Sequence, residues 1–433
     1  MTTAPERPIE QQLSVDEWAH RTRASFPFFA QGADAVVYLD NGATTQKPAS
    51  VIDAMSSYYA TANVNGGRGM YKLSMAGSET YHRARISVAN FIGAADATEV
   101  VFTKNATEST NFVAHSFGNT VVEAGDEVVI SGLEHHSNML PWRQLCERKG
   151  ARLVVVPTER GEPVSPEVFE RYLSSRVKLA AVTHISNVLG TVNPVADLAR
   201  VAHRHGVPIL VDGAQAVARR PVDVQEIDAD FYVFSAHKMY GPTGVGVLYA
   251  KREHLDRMPL HHAGGGTAIE VSYERELRLM PVPYRFEPGT PNIAGAVGLA
   301  AAVDYLESLG WPQVVAHDES LVVAAVAGLS EIDGVQVLGD PVANRGGIVS
   351  FNVDGVHPYD VGNHLNDHGI AVRTGVHCAI PLLDSLSVVG TVRVSFGVYN
   401  TMAEVDHMLA AVRTVTAGMW TNNHPEARFL LES

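Results

Sequence analysis

Short apolar runs alternate with amphipathic stretches from Val36 to Ala250. Val36–Asp40, Val100–Thr103, Glu127–Ser131, Val154–Pro157, Leu179–Thr183, the run from Pro208 to Asp212, Phe231–Phe234 and Gly246–Tyr249 have the length and content of buried strands. Helical spacing fills the intervals. Pro48–Ala62 is one such stretch, and a second begins near Ser78 and is stopped by Gly93. After Pro194, the residues Val195, Leu198, Ala199 and Ala202 lie at i, i+3, i+4 and i+7, and Gly206 closes that helix. Strands alternating with helices predict a mostly parallel sheet with crossover helices, whose ligands sit outside the carboxyl ends of the strands.

The pattern changes after Ala250. His261–Thr267 reads as a flexible loop and Phe286–Asn292 as a turn. A long helix from Ile293 to Ser308 and a second over Pro312–Leu329 follow. Strands over Gly347–Val353, Ala371–Thr374 and Val392–Phe396, then a helix over Ala403–Ala417, complete a smaller α+β unit. Ser14 and Glu17 have capping-box spacing, so a helix opens near the N-terminus. The expected division is an N-terminal segment (1–35) packed with the small domain, a large domain (36–295) and a small C-terminal domain (296–433). No internal repeat or low-complexity tract is visible.

Composition narrows the class. A chain of 433 residues is too long for one simple core. Net charge is −14 with no basic run, which argues against a nucleic-acid surface. No apolar stretch reaches the 18 or so residues of a membrane span. The polar start MTTAPERPIEQQ has no apolar h-region, so no secretory signal is expected. Two cysteines cannot make a disulfide framework, and the expected location is the cytoplasm.

Candidate chemistry gathers at strand ends. The strand Phe231–Phe234 runs into Ser235-Ala236-His237-Lys238. An ammonium at the mouth of a buried strand costs several kcal/mol unless it is paired or neutralised. A Schiff base to an aldehyde cofactor is one chemical reason for it, and a surface lysine is the plain alternative. Ser235 and His237 carry donors suited to a phosphate. Upstream, a strand delivers Asp212, followed by Gln215; a carboxylate there suits a protonated pyridine nitrogen or, more plainly, caps a helix. Thr107 lies where a helix opens, as a phosphate donor or an ordinary cap. His135 and His136 are adjacent, but no third ligand lies at a metal spacing, so zinc is discounted and a ring stacked on a cofactor is the better functional reading. Asn41 and Asn187 also end predicted strands. Arg68, in the glycine-rich stretch Asn63–Tyr71, offers a fixed positive charge to a bound acid or sits in a plain surface loop.

A second centre lies at Ile370–Leu383, IAVRTGVHCAIPLL. Cys378 follows a strand, with His377 beside it and Arg373 five residues before, cationic neighbours of the kind that favour a thiolate. A half-buried structural cysteine is the alternative. Cys146 sits on a helical face and reads as structural. Arg393 brings a guanidinium fork suited to a carboxylate.

The ordered motifs LEHHSNMLPW, HISNVLGT, VDGAQAV, FSAHKMYGPTG, FEPGTPN, RTGVHCAIPL and VYNT resemble those of group II, SufS-type cysteine desulfurases, class V aminotransferase-like enzymes of fold-type I. The resemblance runs from about Val36 to Ala417. It implies an α/β fold with a mostly parallel seven-stranded sheet and pyridoxal 5'-phosphate as cofactor. By the same resemblance Lys238 would bind the cofactor's aldehyde and move protons at Cα, Asp212 would pair with the pyridine nitrogen, and Gln215 and Asn187 would address the ring oxygen. His135 would stack on the ring. Thr107, Ser235 and His237 would hold the phosphate, with Thr290 reaching the phosphate of a neighbouring subunit in a homodimer. Arg393, helped by Asn187, would clamp the substrate carboxylate, with Arg373, Asn41 and Arg68 as further substrate candidates. Cys378 would take sulfur from L-cysteine as a persulfide, releasing L-alanine. The sulfur would pass to an acceptor of the SufE/SufU type for Fe–S cluster or other sulfur biosynthesis. The stretch Gly67-Arg68-Gly69-Met70-Tyr71 departs from the family's His-Arg-Gly-x-His, which leaves a related pyridoxal phosphate reaction open: C–S or C–Se lyase (such as selenocysteine lyase), epimerase or aminotransferase.

Overall fold

The computed structural model describes residues 14–30, 36–66, 69–339 and 345–415. The large unit is built on strands β2 (Val100–Thr103), β3 (Glu127–Ser131), β4 (Arg152–Val156), β5 (Val177–Thr183), β6 (Ile209–Asp212), β7 (Phe231–Ser235) and β8 (Gly246–Ala250). They form a seven-stranded sheet in the order β2-β8-β7-β6-β5-β3-β4. Only β8 runs against its neighbours, antiparallel to both β2 and β7. The central strands β3, β5, β6, β7 and β8 are buried along almost their whole length, as their Val, Ile and Phe runs require in a sheet covered on both faces. The predicted parallel sheet is therefore present, with one reversed strand.

The helices that matter for the site are α1 (Val15–Arg23), α2 (Ala49–Thr61), α3 (Lys72–Phe91), α4 (Ala106–Val113), α5 (Leu140–Lys149) and α6 (Val195–Arg204). In the second half lie α7 (Ile293–Leu309), α8 (Trp311–Ser330), α9 (Pro358–Asp367) and α10 (Met402–Arg413). Helix α4 starts one residue after Asn105, whose side chain accepts the Glu108 N–H. That cap sits hard against β8: a Cβ on Gly246 would lie 2.4 Å from Asn105 Cα, so only glycine allows the approach.

After a short antiparallel ribbon of β9 (Ala268–Glu270) and β10 (Arg278–Leu279), the small unit holds an antiparallel sheet, β11 (Val335–Val337), β12 (Ile348–Val353), β15 (Thr391–Ser395) and β14 (Arg373–Gly375), in that order. The run expected as one strand over Ala371–Thr374 is split. Its first part, β13 (Ile370–Ala371), pairs in parallel with β1 (Val37–Tyr38), and its second is β14. Two sequence expectations are corrected here. The strand at Val36–Asp40 pairs with the small unit rather than joining the large sheet, because its register partner is Ile370–Ala371. The helix from Ile293, placed with the small domain by the boundary at 296, packs on α2 and α3; Ile293, Ala294 and Ala296 share a buried cluster with Tyr58, Tyr81 and Ala84. The N-terminal helix α1 opens with the Ser14/Glu17 capping box, and its Arg23 pairs with Glu404 of α10 at 2.8 Å.

Candidate active site

Loops at the carboxyl ends of β3, β5, β6 and β7 surround a cavity of about 210 Å³. Lys238 ends a short 3-10 turn directly after β7 and lines this cavity. Protein surrounds its amine, and desolvation pushes the amine down to about 8 against the opposing pull of Asp212. Asp212 ends β6. Its carboxylate accepts from Ala214 N–H at 2.9 Å, and burial raises its pKa despite that bond and the attraction of Lys238. A buried amine and a buried carboxylate thus face one cavity, each made harder to charge by the dry surroundings.

The other walls are set by short hydrogen bonds. His135 Nδ1 accepts from Ser137 N–H at 3.0 Å, which leaves the ring proton on Nε2. Burial, then the Lys238 charge, holds His135 at about 3, so the ring stays neutral. Beneath it, Glu134 accepts from Ser131 Oγ, Asn138 Nδ2 and Thr183 N–H, and burial pushes this carboxyl up to about 8. Thr107 Oγ1 and Ser137 Oγ lie 2.7 Å apart at the open end, and Ser235 Oγ accepts the Ala106 N–H of α4 at 2.8 Å. His237 lines the same end and is held at about 4, mainly by burial. Gln215 donates to Gly42 O at 2.8 Å, and Asn187 donates to His377 O at 2.8 Å. The Asn187 Oδ1 is buried with no partner among the described residues.

A second, more open cavity of about 510 Å³ shares Thr107, His135 and Ser137 with the first and has Cys378 on its wall. Cys378 is exposed, whereas Cys146 is buried and pushed up to about 11, mainly by burial. Above lie two arginines. Antiparallel pairing of β14 with β15 sets Arg373 directly opposite Arg393. Asp40 sits between them, taking Arg373 Nη2 at 2.8 Å and Arg393 Nη2 at 3.2 Å. Arg393 also donates to Asn187 O at 2.8 Å, and burial pulls it down to about 10 although Asp40 opposes this.

The fold thus gathers Lys238, Asp212, Gln215, Asn187, His135, Thr107, Ser235 and His237 around one cavity. Four other candidates stand differently. Asn41 is committed to holding the chain: its amide donates to Ser395 O at 2.7 Å and to Asn400 Oδ1 at 3.1 Å, its oxygen accepts from Tyr399 OH, and the residue is buried off the cavity wall. His377 turns inward, Nε2 to Thr391 O at 3.1 Å, and burial holds it at about 3, so it is no cationic neighbour for Cys378. Thr290 is exposed on its turn, away from this cavity, and Arg68 lies outside the described residues. Sequence reasoning passed over Asp40 and Glu134; each is an acid at or just after a strand end, a signal too common to single them out.

Residues 37–408 match the aminotransferase class-V family. The chain belongs to that family. A "probable cysteine desulfurase" of Halobacterium salinarum is 46% identical over 393 residues, 90% of this chain and 94% of that protein. A cysteine desulfurase of Escherichia coli is 42% identical over 93% of this chain and 98% of its own. Among solved structures, the apo cysteine desulfurase of Thermococcus onnurineus superposes with a TM-score of 0.87 at 39% identity, covering 91% of this chain and 96% of that one. The class-V residues of this cavity fit pyridoxal 5'-phosphate: an amine for its aldehyde, a buried carboxylate for its ring nitrogen, and Thr107, Ser235 and His237 for its phosphate. The orphaned Asn187 Oδ1 marks a polar atom that a bound group would satisfy.

Proposed function

We propose that the protein is a pyridoxal phosphate-dependent cysteine desulfurase of the SufS type, which takes sulfur from L-cysteine onto Cys378 and releases L-alanine. The observation that carries this reading is the placement of an exposed cysteine on a cavity that shares Thr107, His135 and Ser137 with the cavity lined by Lys238. Its relatives carry the name cysteine desulfurase, which supports the activity.

With the cofactor bound, its ring would supply the electron sink that lets bonds at Cα and Cβ of the amino acid break. Lys238, pushed down to about 8, has a substantial neutral fraction near neutral pH, as an amine that must attack a carbonyl and then carry a Cα proton requires. Asp212 would hold the ring-nitrogen proton; its burial strengthens that bond. Arg393 is pre-aimed by Asp40 and Asn187 O and would fix the substrate carboxylate. His135 would pack flat and neutral, with Nε2–H as its donor. Cys378 Sγ attacks the substrate sulfur: the S–S bond forms as the Cβ–S bond breaks. The bonding pair stays with the three-carbon skeleton, which is protonated to alanine. Cys378 is exposed, which supports delivery of its persulfide sulfur to an acceptor protein. The exposed Thr290 fits a site completed by a second copy of the chain.

The test feeds L-cysteine to wild type, Cys378→Ala and Cys146→Ala. Wild type and Cys146→Ala are expected to release alanine, to gain one sulfur atom in protein mass and to yield sulfide with reductant. Cys378→Ala should hold the cofactor but gain no sulfur. Equal sulfide from Cys378→Ala would hand the site to a lyase or aminotransferase reaction.

A further inference from the structure

The turn that presents Cys378 is strained. His377 and Cys378 sit at φ 49° and 53°, a left-handed region that residues with side chains occupy only when their surroundings hold them there. The restraints divide by side. On the His377 side, Asn187 Nδ2 donates to His377 O at 2.8 Å and His377 Nε2 meets Thr391 O at 3.1 Å. On the far side the contacts come from His136. Its backbone N–H donates to Cys378 O at 2.7 Å, and its ring Nε2 accepts from Ile380 N–H at 3.3 Å. His136 therefore brackets the cysteine, binding the carbonyl of Cys378 and the N–H two residues on.

We propose that His136 is the positioning residue for Cys378: its neutral ring, protonated on Nδ1, accepts the Ile380 N–H and fixes Sγ over the cavity. The ring belongs to the same turn as His135, so the wall on which the cofactor ring would stack and the thiol that must reach its substrate are set by one short turn of chain. Partial burial keeps the ring in its neutral, acceptor form by lowering its pKa. Nothing else in the turn accepts that N–H among the described residues. The bond also steadies the start of the short helix Ile380–Ser385, whose first N–H groups have no intrahelical partner.

This inference rests on Cys378 as the sulfur-accepting thiol, and the experiment separates the two. Cofactor-loaded wild type, His136→Leu, His136→Gln and Cys378→Ala are compared in alanine formation and in alkylation of Cys378 by iodoacetamide. Leucine fills the space without accepting a hydrogen bond; the glutamine Oε1 accepts one and does not titrate. Displacing a reacting atom by about 1 Å costs on the order of 10²-fold in rate. His136→Leu is therefore expected to lower kcat about 10- to 100-fold, to leave KM for L-cysteine within about twofold, and to change the alkylation rate several-fold. His136→Gln should restore both to within about threefold. If His136→Leu does not fold, His136→Asn, too short to reach Ile380, takes its place. The inference is overturned if the non-accepting variant matches wild type in both assays, or if His136→Gln falls as far as it does. An active Cys378→Ala would instead sink the desulfurase reading itself.

Discussion

Glu287→Gln tests the buried ion pair that anchors the turn before Thr290. Glu287 faces Arg85 of α3 as a two-pronged pair, Nη1–Oε1 at 2.6 Å and Nη2–Oε2 at 2.7 Å. It also accepts from Phe102 N–H of β2 at 2.7 Å and from Tyr81 OH at 3.1 Å. The two side chains are only 1% and 7% exposed, so water cannot replace a lost partner. Glutamine keeps the shape and can still take the Phe102 N–H. Its Nε2 then meets the Arg85 Nη2, donor against donor, and the guanidinium is left as an uncompensated buried charge. Removing one partner of such a pair costs about 3–5 kcal/mol. With about 2.1 cal/mol/K of unfolding entropy per residue over 433 residues, this is a fall in Tm of roughly 3–6 °C if the chain unfolds as one unit. The assay is urea unfolding followed by circular dichroism at matched protein concentration, with cofactor present throughout. The control is Arg85→Met with Glu287→Leu, which removes both charges. It should recover part of the loss and retain about 1–3 kcal/mol for the unpaired Phe102 N–H and Val100 O. A cost below about 1 kcal/mol for Glu287→Gln, or a double variant worse than the single one, would refute the reasoning.

Two further outcomes follow from the site. Asp40→Ala frees both arginines and leaves the Arg373 and Arg393 charges facing each other; steady-state kinetics should show KM for L-cysteine rising about tenfold, the cost of losing a hydrogen bond between charged groups, with a smaller change in kcat. Lys238 is lowered to about 8 in the fold, so between there and its ordinary value the unfolded chain binds the extra proton. Stripped protein should accordingly take up pyridoxal phosphate faster as pH rises toward about 8 and level off beyond it, read by the growth of the visible band; a rate flat from pH 6 to 8, or uptake by Lys238→Ala with the same band, would contradict this.

Much was legible in the sequence because it depends on local periodicity. The buried strands β3 and β5–β8 are apolar runs of the right length, and Asp212, Lys238, His135 and Asn187 follow such runs directly. In a parallel sheet, chemistry at the end of each strand is carried to one edge. The capping box at Ser14 was legible for the same reason, since cap and third helical residue are fixed neighbours.

What stayed hidden depends on contacts between distant parts of the chain. Nothing near Val37 says that it pairs with Ile370, or that Asn41 spends its amide on Ser395 and Asn400. The inward turn of His377 follows from its seat between Asn187 and Thr391, residues 190 and 14 positions away. The helix from Ile293 reads as the opening of a new unit, yet its apolar face finds α2 and α3. The sequence by itself determined the strand segments of the large sheet, their order along the chain and the residues delivered to their ends, because propensity and hydrophobic period act within a few residues. The tertiary structure alone decided which candidates share the cavity, how Asp40 joins two arginines and how His136 holds Cys378. Those outcomes depend on burial and on hydrogen bonds closed across hundreds of residues.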